Sequence, residues 1–326
     1  MTAITLIEGI TRALDFELGR DKDVIVFGED VGKNGGVFRA TDGLQAKYGK
    51  DRVFDTPLAE AMIAGLAVGL AAQGMKPVAE IQFEGFLFPA FNQIATAVSR
   101  LRNRTRGRLT QPLVIRAPYG GGIHAPEHHS ESNEALFAHL PGLRVVIPSN
   151  PSRAYGLLLA AIRNPDPVIF LEPKRVYRLV KHEVELNGEE YPLDTCFIDR
   201  EGEDVTLVSW GAYMTETLKA AEALAGEGVS CEVIDAATVS PIDTQTILES
   251  VEKTGRLVIV QEAPRNGGIA SQIASEVAEK GILSLLAPIG IAAGYDTVMP
   301  YARLECKYLP SVKRIQDEVR KVMAYT

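Results

Sequence analysis

Short, β-branched apolar runs that alternate with helical periodicities constrain this chain more than any other feature. Val24–Phe27, Arg52–Asp55, Pro77–Phe83, Pro112–Arg116, Leu143–Ile147 and Pro167–Leu171 read as strands. Helical patterns over 58–73, 89–104 and 151–163 separate most of them. Such buried, β-branched strands belong in a parallel sheet covered on both faces, which predicts an α/β fold. The pattern breaks over 179–204, a polar stretch holding Asn187–Glu190, Pro192 and Arg200–Asp204. It then resumes, with strands at 205–208, 229–234 and 256–260 and helices at 212–225, 243–253 and 268–280. At roughly 150 residues per domain, a chain of 326 residues accommodates two domains. We place them at 1–185 and 200–326.

Composition excludes several classes of function. The apolar share of 46% is ample for a core. A balance of 34 basic against 42 acidic residues repels phosphate and disfavours nucleic acid. Arg100–Arg108 holds five arginines in nine residues, but one short basic stretch reads as a solvated helix end or a subunit contact. Cys196, Cys231 and Cys306 lie far apart, which argues against a disulfide framework or a thiolate zinc site and fits a reducing cytoplasm. Met1–Glu8 lacks the marks of a signal peptide, and Thr5 and Glu8 instead form a capping box. The stretch Leu58–Met75 reaches the length of a membrane span, but Pro57 in front, Gln73 inside and its glycine and alanine pairs make it a buried, closely packed helix.

Ligands of open α/β sheets bind at the carboxyl ends of strands. Asp55–Glu60 lies at one such end. Thr56 suits an N-cap and Pro57 a first helical position, which puts Glu60 in the opening turn. Glu60 is either a carboxylate favoured by the helix dipole or a semi-buried one aimed at a ligand, able to share a proton with a heterocyclic nitrogen. In Glu80–Phe86, Gln82 and Glu84 fall on one side of an extended strand. Phe86 follows at a glycine turn, where it serves either the core or a flat ring. The third segment, Pro118–Ser132, carries three glycines and His124, His128 and His129. Pro126 disrupts helical presentation of a metal pair, and a match to G-x-G-x-x-A lacks the helix and the acidic partner it needs. A mobile glycine loop delivering an acid–base histidine fits better.

Gly28–Val31, Gly35–Arg39, Arg52–Glu60, Glu80–Phe83, His129–Ser132, Pro141–Pro148 and Asp166–Pro173 together resemble one family. It is that of β subunits of the thiamine-diphosphate-dependent decarboxylase component of 2-oxo acid dehydrogenase complexes. The resemblance runs in order along nearly the whole chain, and Gly35–Glu60 is most similar to bacterial pyruvate dehydrogenase. Branched-chain 2-oxo acid and acetoin dehydrogenases share most of these motifs.

The resemblance implies a pyrimidine-type thiamine-diphosphate-binding domain followed by a transketolase C-terminal-like domain. It implies that Glu60 hydrogen-bonds the aminopyrimidine of the cofactor, with Gln82, Phe86 and Glu29 lining the site. It implies acid–base work by His129 in reductive acyl transfer to a lipoyl group. A potassium site by position would use Leu113, Val114, Ala161, Asn164 and Asp166. No Gly-Asp-Gly occurs in the chain, so the Mg²⁺ and diphosphate half of the site falls to an α subunit in an α₂β₂ heterotetramer. A dihydrolipoyl acyltransferase core would be the further partner, and a small 2-oxo acid the substrate. Two other classes stand against this: a scaffold that only binds a partner, and a metal-dependent hydrolase built on the histidine loop.

Overall fold

The computed structural model describes residues 1–325. The chain forms two compact units, one of residues 1–119 with 136–193 and one of residues 120–135 with 194–326. Among the described residues no helix is long and apolar enough to cross a membrane.

The first unit opens with β1 (Thr2–Ile4) and α1 (Leu6–Arg20). The capping box at the start of α1 is complete: the Thr5 hydroxyl accepts from the Glu8 N–H, and the Thr5 N–H donates to the Glu8 carboxylate at 2.7 Å. There follow β2 (Val24–Gly28), α2 (Leu44–Tyr48), β3 (Val53–Asp55), α3 (Glu60–Ala72), β4 (Lys76–Glu80), α4 (Leu87–Gln93), α5 (Leu101–Arg104) and β5 (Val114–Tyr119). After α6 (Glu134–Ala138) come β6 (Arg144–Val146), α7 (Pro151–Arg163), β7 (Val168–Pro173) and β8 (His182–Val184). Six strands pair in parallel in the order β6-β7-β5-β4-β2-β3. Every residue of β2, β5 and β7 is buried, as a sheet covered on both faces requires. Beside this sheet, β1 pairs antiparallel with β8, inside the stretch the sequence reads as a break. Helix α1 packs along α7 so closely that a Cβ on Gly9 would lie 2.8 Å from the Pro151 carbonyl oxygen.

The second unit has a five-stranded sheet built from β9 (Phe197–Arg200), β10 (Val205–Ser209), β11 (Cys231–Asp235), β13 (Leu257–Pro264) and β14 (Gly290–Gly294). A short β12 (Thr238–Ser240) follows β11, and the helices are α8 (Tyr213–Ala225), α9 (Thr244–Thr254), α10 (Ile269–Gly281), α11 (Ala302–Tyr308) and α12 (Val312–Met323). The order is β14-β13-β10-β11-β9, parallel except for the antiparallel edge strand β9. The elements from β14 onward, and β9, are absent from the sequence reading.

Three expectations need correction. Helix α3 begins at Glu60, not at Pro57, with Ala59 as N-cap and no side-chain cap. The Thr56 N–H instead donates to the Gly28 carbonyl at 3.0 Å, which extends the β2–β3 ladder and postpones the helix. The strand expected to run to Phe83 ends at Glu80, and Glu84–Phe86 form a 3₁₀ turn, so Gln82 and Glu84 do not share a strand face. The single helix expected over 89–104 is α4, a π-helical turn at Ile94–Val98, and α5. There the Thr96 and Ser99 hydroxyls bond back to the Asn92 and Ala95 carbonyls, at 2.6 and 3.0 Å, a pattern that bends helices.

Candidate active site

Strands β3, β2 and β4 are neighbours, and their last residues are in register: Gly28 lies opposite Asp55 on one side and Glu80 on the other. The loops leaving these three adjacent ends carry Glu29, Glu60, and Gln82 with Phe86. One row of strand ends therefore gathers four residues separated by up to 57 positions in the chain (86 − 29). Gly28 is confined at this point, since a Cβ there would clash with the Glu80 carbonyl oxygen.

Glu29 is 7% exposed, and its Oε1 is buried with no hydrogen-bond partner among the described residues. Burial, then the charges of Glu60 and Asp30, push its carboxyl above the usual range, against the pull of the Ala59 N–H. Burial and neighbouring like charge both disfavour the ionised form of a carboxyl. Glu60, in the first turn of α3, is half-buried. The Gln82 amide donates to the Asp30 carboxylate at 3.4 Å, which ties the two loops together. Phe86 caps α4, which packs on α3. Its ring meets Phe83 edge-on at 5.6 Å, and Phe83 meets Phe38 at 5.5 Å. Phe38 follows Gly35 and Gly36, whose positive φ values of 76° and 81° form the turn in which the Gly36 N–H reaches the Asp30 carbonyl at 2.8 Å.

Beneath these loops lies a charge cluster that the sequence reading did not include. Arg116, at the centre of the sheet on β5, reaches Glu80 on β4 and Glu172 on β7, donating to Glu172 at 2.6 and 2.8 Å. The Tyr177 hydroxyl donates to the same Glu172 carboxylate at 2.6 Å. Arg116, Glu80 and Glu172 are at most 2% exposed. Burial opposes the guanidinium charge, but Glu172 and Glu80 more than offset it, so Arg116 stays charged. Burial drives the Glu80 carboxyl up, only partly countered by Arg116.

His129 lies in the second unit, in a loop closed on itself. The Gly120 N–H donates to the Glu131 carbonyl at 2.9 Å, and the His129 N–H to Pro126 at 2.9 Å. His129 is half-buried, whereas His124 and His128 are exposed. Among the described residues no three His, Cys, Asp or Glu side chains are grouped to hold a metal ion. The segments named for potassium lie side by side, because Val114 pairs with Val168 and the Val168 N–H donates to the Leu113 carbonyl at 3.0 Å. Asn164 ends α7 and accepts from the Asp166 N–H at 2.9 Å, while the Asp166 carboxylate pairs with Arg102 and Arg144.

Comparison with known proteins bears on this arrangement. The family described as transketolase, pyrimidine binding domain matches residues 2–180, and that described as transketolase, C-terminal domain matches residues 194–315. A protein of Acholeplasma laidlawii is 49% identical over 99% of this chain and 98% of its own length. One of Bacillus subtilis (strain 168) is 49% identical over the full length of both chains. Each is named pyruvate dehydrogenase E1 component subunit beta. Among solved structures, a split gene transketolase described as an inactive beta4 tetramer superposes with a TM-score of 0.82 at 25% identity, over 99% of both chains. With both domain families matched in order and relatives about half identical from end to end, the chain belongs to the family of pyruvate dehydrogenase E1 component beta subunits.

Proposed function

We propose that this chain supplies the aminopyrimidine half of a thiamine diphosphate site and, with an α subunit, decarboxylates pyruvate and acylates a lipoyl group. The observation that carries this reading is Glu29: a buried carboxyl oxygen with no partner among the described residues, beside Glu60 at the end of a parallel sheet. An orphaned polar atom next to a second carboxylate fits a ring that offers nitrogen donors and acceptors. The relatives named pyruvate dehydrogenase E1 component subunit beta support the choice of substrate.

Thiamine diphosphate, when bound, supplies the nucleophilic carbon and the sink for the electron pair left by CO₂. The chain's own residues do the rest. Glu60 holds a proton at a ring nitrogen, and Glu29, its carboxyl pushed above the usual range by burial and by Glu60, lines the same pocket. Phe86 offers an aromatic face to the flat ring, and Gln82 an amide at its edge. His129 serves proton transfer when the acyl group passes to lipoyl sulfur.

Residues 1–185 then act as the pyrimidine-binding domain and 200–326 as the domain for subunit contacts. The diphosphate and its Mg²⁺ fall to the α subunit of an α₂β₂ assembly, because this chain has no Gly-Asp-Gly. The assembly would dock on a dihydrolipoyl acyltransferase core in the cytoplasm. A potassium ion would sit on the Leu113, Val114, Ala161, Asn164 and Asp166 segments. In support, the residue four beyond Ala161 is Pro165, which has no N–H to give the Ala161 carbonyl.

The test is reconstitution with an α subunit carrying Gly-Asp-Gly, followed by turnover of pyruvate and of 2-oxoisovalerate. Preference for pyruvate is expected. Preference for the branched substrate would contradict the assignment, and no turnover of any 2-oxo acid would contradict the function.

A further inference from the structure

The loop that carries His129 is gripped by two buried carboxylates far away in sequence. Its glycines present a run of backbone N–H groups, and none of them faces solvent unanswered. The Gly121 N–H donates to Glu262, and the Ser132 hydroxyl joins the same oxygen at 3.1 Å. The Gly122 N–H donates to one oxygen of Glu305 at 2.8 Å and the His124 N–H to the other at 3.2 Å. The His124 Nδ1 lies 2.7 Å from that second oxygen. Both carboxylates sit on rigid elements, Glu262 on β13 and Glu305 on α11, and are 3% and 2% exposed. The fit is close: a Cβ on Gly120 would lie 2.9 Å from Glu262, and one on Gly121 would lie 2.7 Å from the Met299 methyl.

We infer that Glu262 and Glu305 are positioning residues that clamp the His129 loop for acyl transfer. Hydrogen bonds from backbone N–H groups to an ionised carboxylate are among the stronger ones available, and burial strengthens them further. A bare glycine-rich loop samples many conformations, because glycine restricts the backbone least. Five contacts to two carboxylates remove that freedom over Gly121–Ser132 and leave His129 on a fixed support. The carboxylates bond the loop itself, through its backbone N–H groups, Ser132 and His124. They act through the loop, so their loss should spare the chemistry at Glu60 relative to the step that needs His129. This inference rests on the role proposed above for His129.

The test uses the reconstituted complex with Glu305→Ala and, as the gentler change, Glu305→Gln. Two quantities are read: deuterium exchange of the peptide spanning 119–131, and the rates of lipoyl acylation and of decarboxylation measured with an artificial electron acceptor. Loop exchange should rise about tenfold or more while β10 and β13 keep their protection. Acylation should fall by about tenfold to a hundredfold more than decarboxylation, the scale of a catalytic group misplaced by about an ångström. If Glu305→Ala fails to assemble, Glu305→Gln carries the same readings. Unchanged loop exchange overturns the clamp, and a loosened loop with normal acylation overturns its part in catalysis. His129→Ala, run alongside, separates the two layers. Normal acylation in His129→Ala contradicts the role of the histidine itself. Impaired acylation there with normal acylation in both Glu305 variants contradicts the clamp.

Discussion

Glu29 and Glu60 follow adjacent strand ends, and the charge of Glu60 adds to burial in holding the Glu29 carboxyl above its ordinary range. A carboxyl whose value is raised beside a second carboxyl is an arrangement that acid–base sites use to assign roles. Its consequence for stability has a definite sign. A carboxyl whose value is raised by folding stabilises the fold while it is protonated and loses that contribution as pH rises through the raised value. Glu29→Gln should therefore match the parent chain in acid and exceed its thermal midpoint at neutral pH. Midpoints measured across the acid-to-neutral range check this, and a parallel pair of curves would contradict it.

Glu60 and His129 should separate the two half-reactions. Glu60→Ala should lower decarboxylation by about a hundredfold to ten-thousandfold, the range for loss of a positioned acid–base group. His129→Ala should lower transfer to lipoyl more than it lowers decarboxylation. Rates with pyruvate and an artificial acceptor, set against rates with a lipoylated domain, make the comparison. Most of the activity surviving in Glu60→Ala would remove that residue from the chemistry.

Arg116 concerns stability rather than chemistry. Its removal leaves Glu80 and Glu172 buried and uncompensated, so Arg116→Met should cost about 3–5 kcal/mol. Denaturant unfolding of the purified chain reads this directly. A loss under about 1 kcal/mol would mean that both carboxyls accept protons at little cost.

Potassium should stabilise the assembled protein where lithium at equal ionic strength does not. At a hundred times its dissociation constant a bound ion adds about 2.7 kcal/mol. Thermal midpoints in the two chlorides check it, and coincident midpoints would argue against the site at Leu113, Val114, Ala161, Asn164 and Asp166.

The parts of this fold that could be read in advance are those written in local pattern. Val24–Gly28 and Val168–Pro173 are apolar along their length because both faces of the sheet are covered, and they stand out for that reason. The start of α3 could not be placed, because the Thr56 N–H answers the Gly28 carbonyl across the sheet, a partner 28 residues away (56 − 28). The edge strand β9 runs antiparallel through a polar stretch where no periodicity marks it. For the candidate site, Glu60, Gln82 and Phe86 are proposed from strand-end position and motif, and Glu29 from the resemblance alone. Arg116 with its two carboxylates, and Glu262 and Glu305 beneath the histidine loop, could not be read in advance. Their partners lie 36 to 183 positions away, and a lone Glu or Arg in a strand or helix carries no local sign of what it will meet.

By the function proposed above, this chain builds half of a cofactor site. Calorimetric titration of thiamine diphosphate with Mg²⁺ into the purified chain, and then into the chain assembled with its α subunit, tests it most directly. No measurable binding to the chain alone and one cofactor per αβ pair in the complex are expected. Tight, stoichiometric binding by the chain alone would contradict it.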